Sequence, residues 1–198
     1  MGKRRYTQKK RAESRDETRD RIVAAAVELH EELGPRQTSI SALAERAGVQ
    51  RLTIYRHFPE EAVLIAACSS HWLNRHPPPD PSRWAAMADP DEQARAALTA
   101  LYVYYQGTRR MLAAVHRDEP LVPAMQEPMS QMHRLIAGIA DSLLLARSGS
   151  PAQRTTLRHA VQFATWESLE RAGLDDGEKA DLVLGWLSGL AAQPAARR

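Results

Sequence analysis

The sequence predicts an all-α fold, and three observations support that prediction. Apolar residues recur at spacings of three and four along most of the 198 residues. Several of these segments begin at readable helix caps, such as Asp89 before Pro90 and Ser150 before Pro151. The alternating apolar and polar residues that are typical of strands are missing.

The first helix is predicted from about residue 16 to residue 33. Gly34 and Pro35 end it, because glycine can adopt a left-handed cap and proline cannot continue the helical hydrogen bonds. Residues one, two and three turns apart form its apolar face: Ile22, Ala26, Leu29 and Leu33.

A second, short helix follows, with the hydroxyls of Thr38 and Ser39 available to cap it. The proline-rich segment 76–82 predicts an extended, exposed linker. Later helices are predicted over 60–75, 90–106, 108–117, 128–146, 151–172 and 178–191.

Positive charge is concentrated at the N-terminus. Residues 1–15 contain seven lysines and arginines, Lys3, Arg4 and Arg5 among them, against the single acid Glu13. No apolar periodicity competes with this charge, so the segment is predicted to be a basic arm that is disordered in isolation and ordered by a polyanion. A solubilising tail is the alternative interpretation.

Several classes of protein are disfavoured. The single cysteine, Cys68, excludes an intramolecular disulfide and fits a reducing compartment, so we expect a cytoplasmic protein. No apolar run is long enough to span a membrane. Cys68 and His71 share a helix face, but no second cluster completes a metal site. No phosphate-binding loop or catalytic constellation is recognisable, so neither an enzyme nor a cofactor is expected.

The stretch LAERAGVQRLTIYRHF, residues 43–58, predicts a helix-turn-helix. Ala44 permits close helix crossing, Gly48 can adopt a positive φ at the turn, and Ile54 buries the next helix. With Val49 and Phe58 also turned inward, the polar side chains of the third helix remain outside, where their donors suit base edges and phosphates. These side chains are Arg51, Thr53, Tyr55, Arg56 and His57.

The segment from Arg19 to Leu64 resembles the DNA-binding domain of the TetR family of transcriptional regulators. The matching features are the long first helix, TSISALAERAGV in the second, and TIYRHFPEEAVL in the third and fourth. The resemblance implies a helix-turn-helix DNA-binding domain at 16–61, after the arm at 1–15. It also implies a helical ligand-binding and dimerisation domain at 62–198, and a homodimer.

The resemblance also implies roles for individual residues. Thr53, Tyr55 and His57 would contact phosphates and bases, while Arg51 and Arg56 would occupy specificity-setting positions. Phosphate contacts at the start of the second helix would come from Thr38, Ser39 and Ser41. Where the family usually has a phosphate-binding lysine, this sequence has Glu61, and the basic arm is expected to compensate.

Aromatic, methionine and histidine residues of the C-terminal part suit an apolar cavity with a few polar anchors. For any single one of them, an ordinary place in the core is the alternative. The candidate ligand-binding residues are Trp72, Tyr102, Tyr105, Met111, His116, Met125, Met129, His133 and Trp166.

The segment DLVLGWLSGLAA predicts a dimer interface, with packing within the chain as the alternative. Two glycines inside one helix weaken it, so their spacing of four indicates the close approach of another helix. The candidate interface residues are Leu182, Gly185, Trp186, Gly189 and Leu190.

Together these features predict a ligand-responsive transcriptional regulator, a repressor by analogy with most of the family. A homodimer would bind a pseudo-palindromic double-stranded DNA operator and be released by a small-molecule effector. The alternative is a helical partner-binding protein, or a regulator that has lost specific DNA binding, which the pair Glu60 and Glu61 favours.

Overall fold

The computed structural model describes residues 2–146 and 149–191; the side chains of residues 2–9, 11, 12 and 146 lie outside that description. Every regular element in the described residues is helical, as predicted. Ten α-helices occur in these ranges: α1 Gly2–Glu32, α2 Ile40–Ala47, α3 Arg51–His57, α4 Glu61–Arg75, α5 Ser82–Ala85, α6 Pro90–Asp118, α7 Gln126–Ala146, α8 Pro151–Ala160, α9 Phe163–Arg171 and α10 Asp176–Ala191. No described helix combines the length and apolar character needed to cross a bilayer.

Helix α1 differs from its prediction at both ends. It begins at Gly2, so its backbone is helical through the segment for which a disordered arm was predicted. The sequence holds no proline or glycine between Lys3 and Leu33, and its many lysine, arginine, glutamate and alanine residues are good helix formers. At the other end, Leu33 lies beyond the helix and is 39% exposed, so it does not continue the buried face.

Two further helix boundaries differ from prediction. Residues 90–106 and 108–117 form one helix, α6, because Gly107 continues a helix at a modest cost. Residues 151–172 form two helices, α8 and α9, which are separated at Val161 and Gln162.

Two compact units make up the structure. The first contains residues 1–77 and 110–129, and the second contains residues 78–109 and 130–198. This division differs from the predicted boundary after residue 61, because α4 buries Leu64 and Cys68 in the same core as Ile22 of α1, Leu43 of α2 and Ile54 of α3. Residues 16–61 therefore do not hold the whole core of the N-terminal unit.

A buried carboxylate closes the C-terminal end of α1 within the first unit. Asp118 accepts hydrogen bonds from the Arg36 backbone N–H at 3.0 Å and from the Arg117 guanidinium Nε at 2.8 Å. Arg117 also donates to the Leu33 carbonyl at 2.9 Å. Gly34, which lies between Leu33 and Arg36 in the chain, adopts φ 92°. A Cβ at this residue would lie 2.0 Å from Arg117 Nη2. Only glycine fits this junction without displacement.

Tyrosine hydroxyls stabilise the break between α8 and α9 in the second unit. Tyr102 donates to the Ala160 carbonyl at 3.0 Å, and Tyr105 donates to the Val161 carbonyl at 2.6 Å. The Thr165 hydroxyl donates to the His159 carbonyl at 2.7 Å. Carbonyls that lose helical partners at the break thus obtain side-chain donors.

Candidate functional site

The helix-turn-helix forms as predicted. Ser39 caps α2 by accepting a hydrogen bond from the Ala42 N–H at 3.1 Å. Gly48 ends α2 in the left-handed conformation, with φ 64° and ψ 41°. Beyond the turn Ile54 is fully buried, and Val49 packs half-buried against the same core. The turn and the buried Ile54 fix which face of α3 remains outside.

The outer face of α3 carries the predicted polar residues. Arg51 and Arg56 are exposed and Tyr55 is 53% exposed, whereas Thr53 and His57 are half-buried. An exposed guanidinium can donate to base edges and phosphates, and an exposed phenol can donate to a phosphate. This face therefore has the chemistry that a DNA-reading helix needs.

Leu52 is a surface residue that the sequence analysis did not single out. It lies on α3 between Arg51 and Thr53 and is 57% exposed. An exposed apolar side chain beside polar ones suits contact with a thymine methyl group. The sequence pattern of α3 could have revealed this exposed leucine. Ile54 alone occupies the inward side of this short helix, so Leu52 is left outside.

The hydroxyls at the start of α2 already have partners within the protein. Thr38 donates to the Gly34 carbonyl at 2.9 Å, so it does not cap α2, and Ser39 alone does so. Ser41 accepts from Arg51 Nη1 at 3.2 Å, which links the start of α2 to the start of α3. The structure thus brings Ser41 and Arg51 together on one surface.

His57 lies where α3 ends and faces the positive charges of α1. Burial lowers the pKa of its imidazole, and the nearby charges of Arg15 and Arg19 lower it further. The Arg19 guanidinium lies over the Phe58 ring, 4.8 Å from its centroid. The Asp16 carboxylate opposes part of this shift, and the lowered pKa favours the neutral imidazole, in which one nitrogen donates and the other accepts.

The start of α4 is acidic and exposed. Glu60 is the N-cap residue and Glu61 is the first residue of the helix, and neither Glu60 nor Glu61 is buried. Carboxylates stabilise a helix N-terminus through its dipole but repel phosphates. Lys3, Arg4 and Arg5 lie in the first turns of α1, and their side chains are outside the described ones.

The candidate ligand-binding residues fall into both units. In the first unit, Met125 and Met129 pack with Ile65 and Val122 in a small apolar cluster. Trp72 and Met111 are buried in the same unit, and the Trp72 ring lies 5.1 Å from that of His76. His116 is half-buried and lies 3.7 Å from a Glu119 carboxylate oxygen.

In the second unit, Tyr105 and Trp166 belong to an aromatic cluster with Phe163. The Tyr105 and Phe163 rings meet edge-on with centroids 5.4 Å apart, and Phe163 and Trp166 lie 5.3 Å apart. Tyr102 is buried with its hydroxyl bonded to the α8 carbonyl described above, and His133 is exposed. For both tyrosines these contacts are those of ordinary core residues.

A buried lysine beside this cluster was not anticipated from the sequence. Lys179 is 1% exposed and donates to Glu170 at 2.7 Å and to Asp176 at 2.8 Å. Its ammonium lies 5.7 Å from the Trp166 ring. Although burial alone would lower it, the pKa of Lys179 is raised by the two carboxylates, which keep the ammonium charged.

The candidate dimer residues form an exposed strip on α10. Leu182 is 38% and Trp186 36% exposed, whereas Leu190 is half-buried. A Cβ built at Gly185 or Gly189 would meet nothing within 4 Å. The opposite side of α10 is buried against α8, where Gln153 donates to the Leu187 carbonyl at 3.0 Å.

The chain is similar in sequence and structure to known regulators. Residues 22–68 match the family model of bacterial regulatory proteins, tetR family. No curated protein sequence matches the chain significantly.

Three of the similar solved structures come from Pseudomonas aeruginosa, Bacillus subtilis and Rhodococcus sp. RHA1. NalD, the secondary repressor of the MexAB-OprM multidrug efflux pump in Pseudomonas aeruginosa, is 24% identical; the match covers 89% of this chain and 96% of NalD, with a TM-score of 0.59. The transcriptional regulator FadR from Bacillus subtilis, in complex with stearoyl-CoA, is 20% identical over 88% of this chain and 98% of FadR, with a TM-score of 0.53. A TetR-like regulator from Rhodococcus sp. RHA1 is 22% identical over 89% of this chain and 97% of that protein, with a TM-score of 0.51. At these identities the likeness establishes a shared fold.

Proposed function

The N-terminal helix-turn-helix domain of this chain belongs to the tetR family of bacterial regulatory proteins, and from that premise we propose that the chain is a ligand-responsive repressor. A homodimer binds a pseudo-palindromic operator, with each α3 in a major groove. The observation that supports this most directly is the exposed face of α3, which presents arginine, tyrosine and leucine side chains outward from a buried Ile54.

Each side chain of this interface has a proposed part. Arg51 and Arg56 read base edges, because a planar guanidinium can make two parallel hydrogen bonds to guanine. Tyr55, Thr53 and His57 contact phosphates and adjacent bases. Backbone phosphates at the start of α2 are contacted by three hydroxyl residues, Thr38, Ser39 and Ser41. The basic N-terminal segment, with Lys3, Arg4 and Arg5, adds general electrostatic attraction.

The test of DNA recognition compares one double variant of α3 with a single charge control. Wild-type protein is first used to select duplexes from a random-sequence library and from genomic fragments, at several salt concentrations with nonspecific competitor. Arg51→Ala with Tyr55→Ala removes two exposed side chains of α3, and we expect it to weaken specific binding at least tenfold, at about 1–3 kcal/mol for a lost base contact. Arg75→Ala, an exposed arginine at the end of α4, is the charge control and should bind nearly as wild type does.

Unchanged specific binding in the α3 double variant would contradict the proposed interface. If the wild-type protein selects no sequence at all, the chain is instead a helical partner-binding protein or a regulator without specific DNA binding. The exposed carboxylates of Glu60 and Glu61 support that second function, because they would repel phosphates.

We propose a largely apolar effector. FadR was solved in complex with stearoyl-CoA, whose acyl chain is apolar, and this supports an apolar effector for a regulator of the same fold. In the first unit, the proposed contacts are apolar Trp72, Met111, Met125 and Met129, with His116 as a polar anchor. In the second unit the remaining candidates are His133 and Trp166, because the hydroxyls of Tyr102 and Tyr105 are already bonded within the core.

The effector model requires reciprocal coupling between the ligand and DNA. Stearoyl-CoA and a panel of apolar drugs would be titrated against the protein with and without a selected duplex. A ligand that induces release has a lower affinity for the protein–DNA complex than for the free protein. The factor between these two affinities equals the factor by which the ligand lowers the affinity for DNA. Equal affinities in both states would refute induction by that ligand.

We propose that α10 forms the dimer interface with its counterpart and with α8 of the partner. The exposed Leu182 and Trp186 and the open glycines at 185 and 189 support this. Leu182→Glu with Trp186→Glu should shift the protein from dimer to monomer in sedimentation. Val103→Glu, at another exposed apolar residue, is the matched control and should leave the oligomeric state unchanged.

A further inference from the structure

Leu52 is an apolar residue at one of the most outward positions of α3. At about 100° per residue, Leu52 and Arg56 point about 160° away from Ile54, the residue that α3 buries. Arg51 and Tyr55 are also exposed, but they point only about 60° and about 100° away from Ile54. Leu52 is 57% exposed, slightly more than Tyr55 at 53%. The helix therefore directs a leucine almost straight away from the core.

Leu52 also lies at the end of α3 that matters most for reading bases. The helix runs from Arg51 to His57, about two turns, and Leu52 is its second residue. In helix-turn-helix proteins the N-terminal residues of the recognition helix contact base edges. Under the proposed function, Leu52 therefore faces the base edges of the major groove, and Arg56 lies one turn further along the same side.

The exposed neighbours of Leu52 on α3 are polar. They are two arginines, Arg51 and Arg56, and the phenol of Tyr55. The centre of a protein–protein interface is depleted of charged residues, so one leucine between two arginines does not suit a protein partner. The floor of the major groove presents hydrogen-bonding groups beside methyl groups, and this mixture matches the face of α3.

The major groove offers one distinctive partner to an apolar side chain. Each base edge presents hydrogen-bond donors or acceptors, and thymine adds a methyl group at C5. A leucine placed against the polar edge of another base displaces water without replacing its hydrogen bonds, which costs free energy. Against the thymine methyl group, the same side chain removes apolar surface of both partners from water. The chemistry of Leu52 therefore selects thymine.

We propose that Leu52 reads the C5-methyl group of a thymine in each operator half-site, and that this thymine is a main determinant of the operator sequence. The inference rests on the proposed function, because it assumes that α3 lies in the major groove. Arg56, on the same outward side, donates to a base near this thymine. Each half-site is thus read through an apolar contact as well as through charged ones.

Deoxyuridine in place of thymine gives the most direct test, because it pairs as thymine does and lacks only the methyl group. The duplexes are those that the wild-type protein selects. Each thymine of the half-site is replaced in turn, in both half-sites together, and affinity is measured by fluorescence anisotropy. We expect a thymine at which deoxyuridine lowers the affinity of the wild-type protein about fifteenfold. That is about fourfold for each methyl group, or about 0.8 kcal/mol at about 1.4 kcal/mol per tenfold change.

Two variants of Leu52 and one control connect the methyl group to this side chain. Leu52→Ala shortens the side chain and should bind the thymine and deoxyuridine duplexes with nearly equal affinity. Leu52→Met keeps an apolar side chain of similar volume and should retain most of the loss on deoxyuridine. Val63→Ala shortens another exposed apolar residue, 42% exposed on α4, and should behave as the wild-type protein does. Because both positions are exposed, circular dichroism and thermal unfolding should be alike for all four proteins.

The same loss on deoxyuridine in the wild-type protein and in Leu52→Ala would overturn the inference. A selected half-site in which no thymine responds to the replacement would overturn it as well. So would a Leu52→Ala variant that binds every duplex more weakly by one common factor and keeps the wild-type loss on deoxyuridine, because Leu52 would then only position α3. In each of these cases a selected operator remains, and the proposed function stands.

Failure of the proposed function has a different signature. If the wild-type protein selects no sequence, both the proposed function and the inference fail, because a side chain that reads a methyl group requires a defined base at its contact. Failure of the inference alone leaves a selected operator, whereas failure of the function leaves none.

Discussion

Replacing His30 with leucine should remove most of the loss of stability that this protein suffers in mild acid. His30 lies on α1, 7% exposed, and burial lowers its pKa from 6.5 to about 4, although the nearby Asp118 carboxylate opposes part of that shift. Between about pH 4 and pH 6.5 the unfolded chain therefore binds a proton that the folded chain does not. Stability is fully retained above that window and decreases as the pH falls through it.

The magnitude follows from the two pKa values. The full difference of about 2.5 corresponds to about 3.4 kcal/mol at 1.36 kcal/mol for each factor of ten. At about pH 5 the expected loss from this one residue is about 2 kcal/mol, and at about pH 7.5 it is close to zero. A loss of that size is a sizeable fraction of the stability of an ordinary domain.

The measurement is urea unfolding, followed by circular dichroism, of the wild-type protein and His30→Leu at about pH 7.5 and about pH 5. Other titrating groups, Asp118 included, are common to both proteins, so the difference between their pH dependences isolates the imidazole. We expect the wild-type protein to lose about 2 kcal/mol more than the variant. Parallel losses would show that His30 is as easily protonated in the folded state as in the unfolded state, which would refute the reasoning.

Three further predictions concern stability and can be checked by thermal or urea unfolding. Gly34→Ala should lower the free energy of unfolding clearly more than Gly48→Ala. Both glycines have positive φ, which alone costs about 1–2 kcal/mol for alanine, but only at Gly34 would a Cβ meet atoms at 2.0 and 2.3 Å. Equal losses would show that the junction around Gly34 relaxes freely. Tyr105→Phe should cost about 1 kcal/mol, because a buried carbonyl loses its donor, while Tyr104→Phe should be neutral or stabilising, because that buried hydroxyl has no partner. Lys179→Met should cost roughly 3 kcal/mol by leaving two carboxylates without their shared cation, and an unchanged midpoint would contradict that role.

Local chemistry allowed much of the helix-turn-helix to be predicted. Gly48 was identified because the turn requires positive φ, and its φ of 64° confirms the reason as well as the position. Ser39 was identified because a hydroxyl before an apolar helix commonly caps it, and the bond to Ala42 confirms this. Each of these inferences depends on residues within a few positions of one another, which is the range over which sequence patterns are reliable.

What the sequence did not reveal depends on contacts between distant residues. The break at Val161 and Gln162 has no proline or glycine to announce it; its carbonyls are satisfied by Tyr102 and Tyr105, more than fifty positions away. The buried Lys179 was likewise hidden, because nothing in a helical pattern marks which lysine will find two carboxylates. For the ligand-binding residues, composition indicated aromatic surface but not how it divides between the two units.

The internal hydrogen bonds of the α2 and α3 surface have a consequence for the heat of binding. Thr38 already donates to Gly34, Ser39 already accepts from Ala42, and Arg51 already donates to Ser41. Thr38 has a single hydroxyl hydrogen, so donating it to a phosphate exchanges one partner for another. Ser39 only accepts here, and Arg51 uses one of its five N–H donors, so both can add hydrogen bonds to DNA and keep the internal ones. Under the proposed function, Ser39 and Arg51 should therefore contribute more to the enthalpy of association than Thr38, while released counterions make the affinity depend on salt.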